Sequence, residues 1–205
     1  MFKFYDIQQN SDEWFDLRKG KLTASSFSVV MANHAKGFGV PAKTLALNIA
    51  LEICTGNRQE SGFSNSYTMR GHELEPFARM EYENQYFVSV KNGGFFDCGR
   101  FGCSPDGLVD EDGIIEIKSV IPSTHYATLQ RGNFDTAYKW QLLGNLYCTG
   151  REWMDFVSYC PEFTENKRLL VYRLYKEEYI VEIEKLQIRF KEFFKLIDEI
   201  ITNIK

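Results

Sequence analysis

The chain has 205 residues, 44% hydrophobic and 25% charged, ordinary values for a soluble globular protein and consistent with one domain over 1–205. Its formal net charge of −4 argues against a grip on nucleic acid by bulk positive charge, and no apolar run reaches the ~18 residues that cross a bilayer. The opening MFKFYDIQQNSDEW lacks the apolar core of a signal peptide, so a cytoplasmic chain without membrane association is predicted.

Taken in chain order, DEWFDLRK (12–19) predicts a short helix ended by Gly20, and Thr23 is placed as the N-cap of a helix through SSFSVVMA. HAKGFGVPAK (34–43) predicts a loop, and ALNIALEICTG (46–56) a helix with Gly56 just past its end. After the polar loop NRQESGFSNS (57–66), a longer helix is predicted from Met69 to Tyr86, burying Leu74, Phe77, Ala78 and Tyr82. Short strands are predicted at 87–91, 94–99, 101–104 and 113–119, with Asn92-Gly93 and Asp112-Gly113 as hairpin dipeptides.

Helices near 123–131 and 135–148 follow, then strands near 153–160 and 168–175. A final amphipathic helix runs from Glu177 to the end, with Ile180, Ile183, Leu186, Phe190, Phe193, Ile197 and Ile200 on one apolar face. This order predicts an α/β domain with a mixed sheet flanked by helices. The cysteines (Cys54, Cys98, Cys103, Cys148, Cys160) are odd in number and form no CxxC, which predicts reduced, mostly buried thiols rather than zinc ligands. His34, His72 and His125 are scattered.

The chemistry concentrates in GCSPDGLVDEDGIIEIKSV (102–120). Residues two apart in a strand share a face, ~6.6–6.8 Å from each other, so Glu116 and Lys118 project together while Ile115 and Ile117 point the other way. If both faces are covered, an acid and a base occupy a partly buried space, where such groups seldom sit unless paired or bound to a metal. The Pro105-Asp106-Gly107 turn can return the Asp106 carboxylate to this strand, so that two carboxylates and a lysine converge. Carboxylate oxygens suit Mg²⁺, and a metal-assisted phosphodiesterase site is the expectation. Cations beside Lys118 would lower its pKa. Negative net charge does not exclude this, because metal-holding carboxylates contribute to it and bound cations restore local attraction.

Each residue alone has a plainer reading: Pro-Asp-Gly is a common turn, and Glu116 with Lys118 could be a solvated cross-strand face. A calcium loop does not fit, since position 3 from Asp106 is Leu108 and Glu116 falls at position 11 rather than 12.

Asp106, nine further residues, then Glu116-x-Lys118 resembles the PD-(D/E)xK nuclease motif. Four further blocks occur in order: W-x-x-x-R-x-G-x-x-T-A-S (Trp14 to Ser25), G-x-E-x-E (Gly71 to Glu75), C-S-P-D-G-L (Cys103 to Leu108) and AYKWQ (Ala137 to Gln141). Together, over about residues 10–160, they resemble the phage lambda-type exonucleases, or YqaJ-like viral recombinases.

The resemblance implies a restriction-endonuclease-like core. It also implies a Mg²⁺-dependent 5′-to-3′ exonuclease, with one or two ions and Mn²⁺ as an alternative, that processively degrades one strand of linear duplex DNA to mononucleotides. Asp106 and Glu116 would bind metal with the Ile117 carbonyl. Lys118 would be the catalytic lysine, Glu75 would complete the acidic site, directly or through water, and Gln141 would be the active-site glutamine. Arg18, Ser25 and Ser104 would hold the 5′-phosphate. A homotrimer ring, a single-strand annealing partner and a phage or prophage setting are implied as well.

Two features depart from the family pattern. The 34–43 loop holds Lys36 and Lys43 but no arginine, leaving Lys36 and Phe38 as candidate DNA contacts, and the arginine after the E-x-K strand is missing, leaving His125 or Arg131 as stand-ins. A site-specific endonuclease on the same core, and a non-catalytic DNA-end-binding module, are the alternative readings. Cluster-forming cysteine spacing for an iron–sulfur nuclease is missing.

Overall fold

The apolar pattern makes strands where expected in the second half of the chain, but the strands divide between two sheets. The computed structural model describes residues 2–59 and 66–205, so residues 60–65 of the expected polar loop lie outside the described residues. The first half holds β1 (Lys3–Tyr5), α1 (Asp12–Arg18), β2 (Leu22–Thr23), a 3₁₀ turn (Ala24–Ser26), α2 (Phe27–Met31), α3 (Val40–Thr55) and α4 (Ser66–Tyr86). Next come β3 (Val90–Asn92), β4 (Phe95–Asp97), β5 (Phe101–Cys103), β6 (Gly107–Val109) and β7 (Gly113–Ser119). The rest comprises α5 (Pro122–Arg131), a 3₁₀ turn (Thr136–Tyr138), α6 (Lys139–Thr149), β8 (Trp153–Tyr159), β9 (Leu169–Tyr175) and, after another 3₁₀ turn, α7 (Ile180–Ile204).

The larger sheet has the order β3-β6-β7-β8-β9, with β7 and β8 parallel and its other pairs antiparallel. A parallel pair needs a long crossover, which α5 and α6 supply. The smaller sheet, β1-β4-β5-β2, pairs β2 with β5 in parallel. Mixed sheets flanked by helices make this the expected α/β, restriction-endonuclease-like architecture.

Both faces of the larger sheet are covered. Ile114, Met154 and Phe156 pack with Leu142, Leu143 and Leu146 of α6 and Phe190, Phe193 and Ile197 of α7. On the opposite face Ile115, Ile117 and Val157 pack with Ala78 and Tyr82 of α4. The period-2 alternation of β7 therefore sends Ile115 and Ile117 to α4, and Glu116 with Lys118 to the α6 side.

Local signals set many boundaries. Ser11 caps α1 by accepting from the Trp14 N–H at 3.2 Å, and Gly56 ends α3 at φ 71° with its N–H on the Glu52 carbonyl. Asp112-Gly113 closes the β6–β7 hairpin.

Other expectations fail. Asn92-Gly93 closes no hairpin: β3 joins one sheet and β4 the other, and a Cβ on Gly93 would lie 1.7 Å from the Pro105 carbonyl oxygen. Close approach of backbones, not turn geometry, selects that glycine. Helix α3 begins at Val40 rather than at 46, because Pro41 suits a helix's first turn and shortens the loop. Thr23 precedes a 3₁₀ turn and makes no side-chain cap. Phe77 and Ile180, expected inside, are 53% and 56% exposed, since α4 and α7 turn those positions away from the sheet. All five cysteines are free thiols, with Cys103, Cys148 and Cys160 buried.

One packing contact sets how closely α6 approaches. A Cβ on Gly144 would fall 2.1 Å from the fully buried Phe27 ring. Gly144→Ala is expected to destabilise by the ~1–3 kcal/mol typical of overpacking. A thermal melt should show this as a fall of at least about 2–4 °C.

Candidate active site

Strand β7 and the turn before it bring the candidate residues together. The Asp106 N–H donates to the Ile115 carbonyl at 3.1 Å, and Asp106 Oδ2 accepts from the Ile117 N–H at 2.6 Å. This clamp folds the Pro-Asp-Gly turn onto β7 beside Glu116. Arg79 of α4 donates to the Asp106 carbonyl from the other side.

Glu116 is 2% exposed yet well supplied with donors. Its Oε1 accepts from Lys118 Nζ at 2.6 Å and from Gln141 Nε2, and its Oε2 from Asn145 Nδ2 at 2.9 Å. Glu75 of α4 lines the same cavity as Asp106, Glu116, Lys118 and Gln141. Burial and the neighbouring Glu116 push the Asp106 carboxyl well above its usual range, with Lys118 opposing them in part. Glu75 is raised by burial, against the pull of Arg79 and His72. Burial favours neutral Lys118, but the carboxylates of Glu116 and Asp106 outweigh it and raise its pKa. The expected lowering of that pKa presupposed a cation nearby.

Crowded acids of this kind are relieved by positive charge. Among the described residues no three His, Cys, Asp or Glu side chains gather into a metal cage. A hard cation would instead take Asp106, Glu116 and the Ile117 carbonyl, with Glu75 directly or through water. Few carboxylates with retained waters is the donor set Mg²⁺ favours.

Trp14, Arg18, Ser25 and Ser104 line the same cavity of about 640 Å³. Trp14 Nε1 donates to Ser104 Oγ at 2.8 Å, Arg18 donates to Ser104 Oγ at 3.4 Å and to Thr23 Oγ1 at 3.3 Å, and the Arg18 guanidinium lies 3.8 Å over the Trp14 ring. Ser25 Oγ sits 3.3 Å from Thr23 Oγ1. Arg18 forms no ion pair among the described residues, and burial, reinforced by Arg58, lowers its pKa to about 10. It remains cationic at neutral pH, with no acid among the described residues to neutralise it. Such a cation, with its donor fork fixed on an aromatic plane, suits a phosphate.

A second cavity of about 600 Å³ shares His72, Glu75, Asp106 and Lys118 with the first and continues past Ser119 and Tyr138. The acidic group and its lysine thus lie between two clefts. Lys36, Phe38 and Arg131 line neither. Lys36 is exposed, the Phe38 ring packs against Phe193 beneath the Arg189 guanidinium, and Arg131 pairs with Asp135 at 2.9 Å. His125 is fully buried, bridging Ser158 and the Lys167 carbonyl.

Sequence reasoning missed Asn145, Arg79, Trp14 and Thr23 as neighbours of the site. Helical spacing offered a signal for two, since Asn145 follows Gln141, and Arg79 follows Glu75, by four positions.

Residues 13–152 match the YqaJ-like viral recombinase domain. The chain is similar to the alkaline exonuclease LHK-Exo of Laribacter hongkongensis, at 31% identity and TM-score 0.80 over 95% of this chain and 98% of that one. LHK-Exo in complex with dAMP matches at 32% identity and TM-score 0.81, over the same shares. A phage-related exonuclease of Haemophilus somnus shares the fold, at 15% identity and TM-score 0.70 over 90% of this chain and 96% of that one. No curated protein matches the chain.

Proposed function

This chain belongs to the YqaJ-like viral recombinase domain family, and we propose that it is a Mg²⁺-dependent exonuclease removing mononucleotides from the 5′ end of one strand of linear duplex DNA. The observation that carries this reading is one cavity lined both by the Asp106–Glu116–Lys118 group and by Arg18, a buried arginine that pairs with no acid among the described residues. The similarity to LHK-Exo, whose complex holds a nucleoside monophosphate, supports the mononucleotide product.

In this reading the 5′-terminal nucleotide occupies the first cavity and the continuing strand leaves through the second. Arg18 receives the terminal phosphate with two donors. Ser104 Oγ already accepts from Trp14 and Arg18, so its own hydroxyl hydrogen is available to the same anion. When bound, Mg²⁺ supplies Lewis-acid polarisation of the scissile phosphate and acidifies a water. Lys118, braced 2.6 Å from Glu116, orients that water for in-line attack. Gln141 and Asn145 hold the Glu116 carboxylate from the α6 side. Processive action in a homotrimer ring threaded by DNA belongs to the same proposal, as does a single-strand annealing partner in phage recombination. A ring would let a chain of net charge −4 stay on DNA by topology instead of bulk attraction.

The test is digestion, with Mg²⁺, of linear duplexes bearing a 5′-phosphate or a 5′-hydroxyl, beside a closed circle. Linear DNA consumed from its 5′ ends, faster with the phosphate, supports the reading. Cutting of the circle points to a site-specific endonuclease, and binding without cleavage to an end-binding module. Arg18→Gln is expected to slow digestion of 5′-phosphate ends about 10–100-fold, matching one lost charge-assisted contact of ~1.5–3 kcal/mol, and to leave 5′-hydroxyl ends nearly unaffected. An equal loss on both ends would assign Arg18 elsewhere.

A further inference from the structure

The geometry points to Asn145 as a positioning residue that holds Glu116 in the rotamer a divalent cation needs. This inference rests on the nuclease reading and adds to it a residue that the motifs do not name.

Asn145 lies in the middle of α6, fully buried, one helical turn beyond Gln141 and on the same face. The two amides divide the Glu116 carboxylate between them, Gln141 on Oε1 and Asn145 on Oε2. Lys118 also takes Oε1. Removing Asn145 therefore leaves both remaining donors on one oxygen, and the carboxylate is free to rotate about its last bond. Amide donors fix the direction of its lone pairs, as partners behind a metal ligand do.

The rest of the Asn145 side chain argues against a purely structural role. Its Oδ1 is buried without a hydrogen-bond partner among the described residues. Its neighbours in the helix, Leu142, Leu143 and Leu146, are fully buried leucines. A leucine at 145 would remove the orphaned acceptor and suit those neighbours but would leave Glu116 Oε2, itself buried, without its one donor among the described residues, so the asparagine serves Glu116 and not the packing of α6. What it provides is one N–H aimed at Glu116. The reach depends on the close seat of α6 on Phe27, which Gly144 permits.

The test compares wild type, Asn145→Leu and Asn145→Ser by calorimetric titration of Mg²⁺ without DNA, by single-turnover cleavage and by thermal melting in EDTA. The leucine variant is expected to stay folded in EDTA at a somewhat lower melting temperature, because Glu116 Oε2 loses its donor, to bind Mg²⁺ about 10–100-fold more weakly, and to cleave slowly at low Mg²⁺ with recovery at high Mg²⁺. Its preference for a 5′-phosphate should stay intact. The smaller serine variant, tested in case leucine does not fold, should show the same weakened Mg²⁺ binding. Wild-type Mg²⁺ affinity in either folded variant overturns the assignment to Asn145. If wild type itself neither binds Mg²⁺ nor cleaves linear DNA, the nuclease reading fails instead.

Discussion

Lys118→Ala is expected to reduce single-turnover cleavage of 5′-phosphorylated linear duplex by ~10²–10⁴-fold, the range a positioned proton-transfer group supplies. The ammonium lies 2.6 Å from Glu116 and is 23% exposed, so it faces both the carboxylate and the cavity. Its loss does not unseat Glu116, which keeps Gln141 and Asn145 as donors. DNA-end binding and Mg²⁺ binding are therefore expected to persist while chemistry is lost. Lys118→Arg should rescue little, because a broad planar guanidinium does not place a compact ammonium at the spot 2.6 Å from Glu116 from which Lys118 orients the water. Rapid-quench rates at saturating enzyme, with end binding measured by fluorescence anisotropy, separate the two effects. Cleavage within a few-fold of wild type would remove Lys118 from the mechanism.

Asp106→Asn is expected to inactivate the protein and, without metal, to stabilise it. Activity should fall by more than the ~10–100-fold that follows loss of a residue behind a metal ligand, since a direct ligand is removed. The stability effect follows from the raised Asp106 pKa, caused first by burial and then by Glu116. A native carboxyl raised above its unfolded value, ~3.9, binds its proton more tightly in the folded state. Its contribution is fully present below the unfolded pKa and is lost as pH rises through the folded one. In EDTA, the variant and wild type should melt alike near pH 4, and the variant should melt progressively higher as pH rises towards 8. The amide oxygen introduced by the substitution can still accept from the Ile117 N–H, so the turn is preserved. Adding Mg²⁺ at pH 8 should reverse the order by stabilising wild type alone. A variant that melts lower than wild type at every pH in EDTA would show that the carboxylate is structural.

Several parts of the protein were legible because they rest on local physics. β7 is a seven-residue strand whose alternation alone sends Ile115 and Ile117 one way and Glu116 with Lys118 the other. The helix end at Gly56 follows from the left-handed backbone that glycine adopts without penalty. The spacing of Asp106, Glu116 and Lys118 needed only a turn and a strand to bring them near each other. The five blocks that carry the family resemblance were likewise readable in order.

Other features depend on partners far away in the chain. Asn92-Gly93 carries the same dipeptide signal as a hairpin, yet β3 and β4 part there, because β3 finds β6 and β4 finds β1 and β5. Phe77 satisfies a helical apolar period, but the sheet takes Ala78 and Tyr82 and leaves Phe77 in solvent. Phe38 could as well have been a DNA contact from its loop, until α7 placed Phe193 and Arg189 against it. Asn145 carries no motif of its own, and only the crossing of α6 over β7 gives it Glu116.

The sequence by itself thus determined the helices, the longer strands, the α/β class and the carboxylate–lysine group, since propensity, period and turn chemistry act within a few residues, whereas the two- and three-residue strands β1, β2 and β6 carry no such pattern. The tertiary structure decided which sheet each short strand joins, which helix face is buried and which side chains brace Glu116, because these follow from long-range packing that no local pattern encodes.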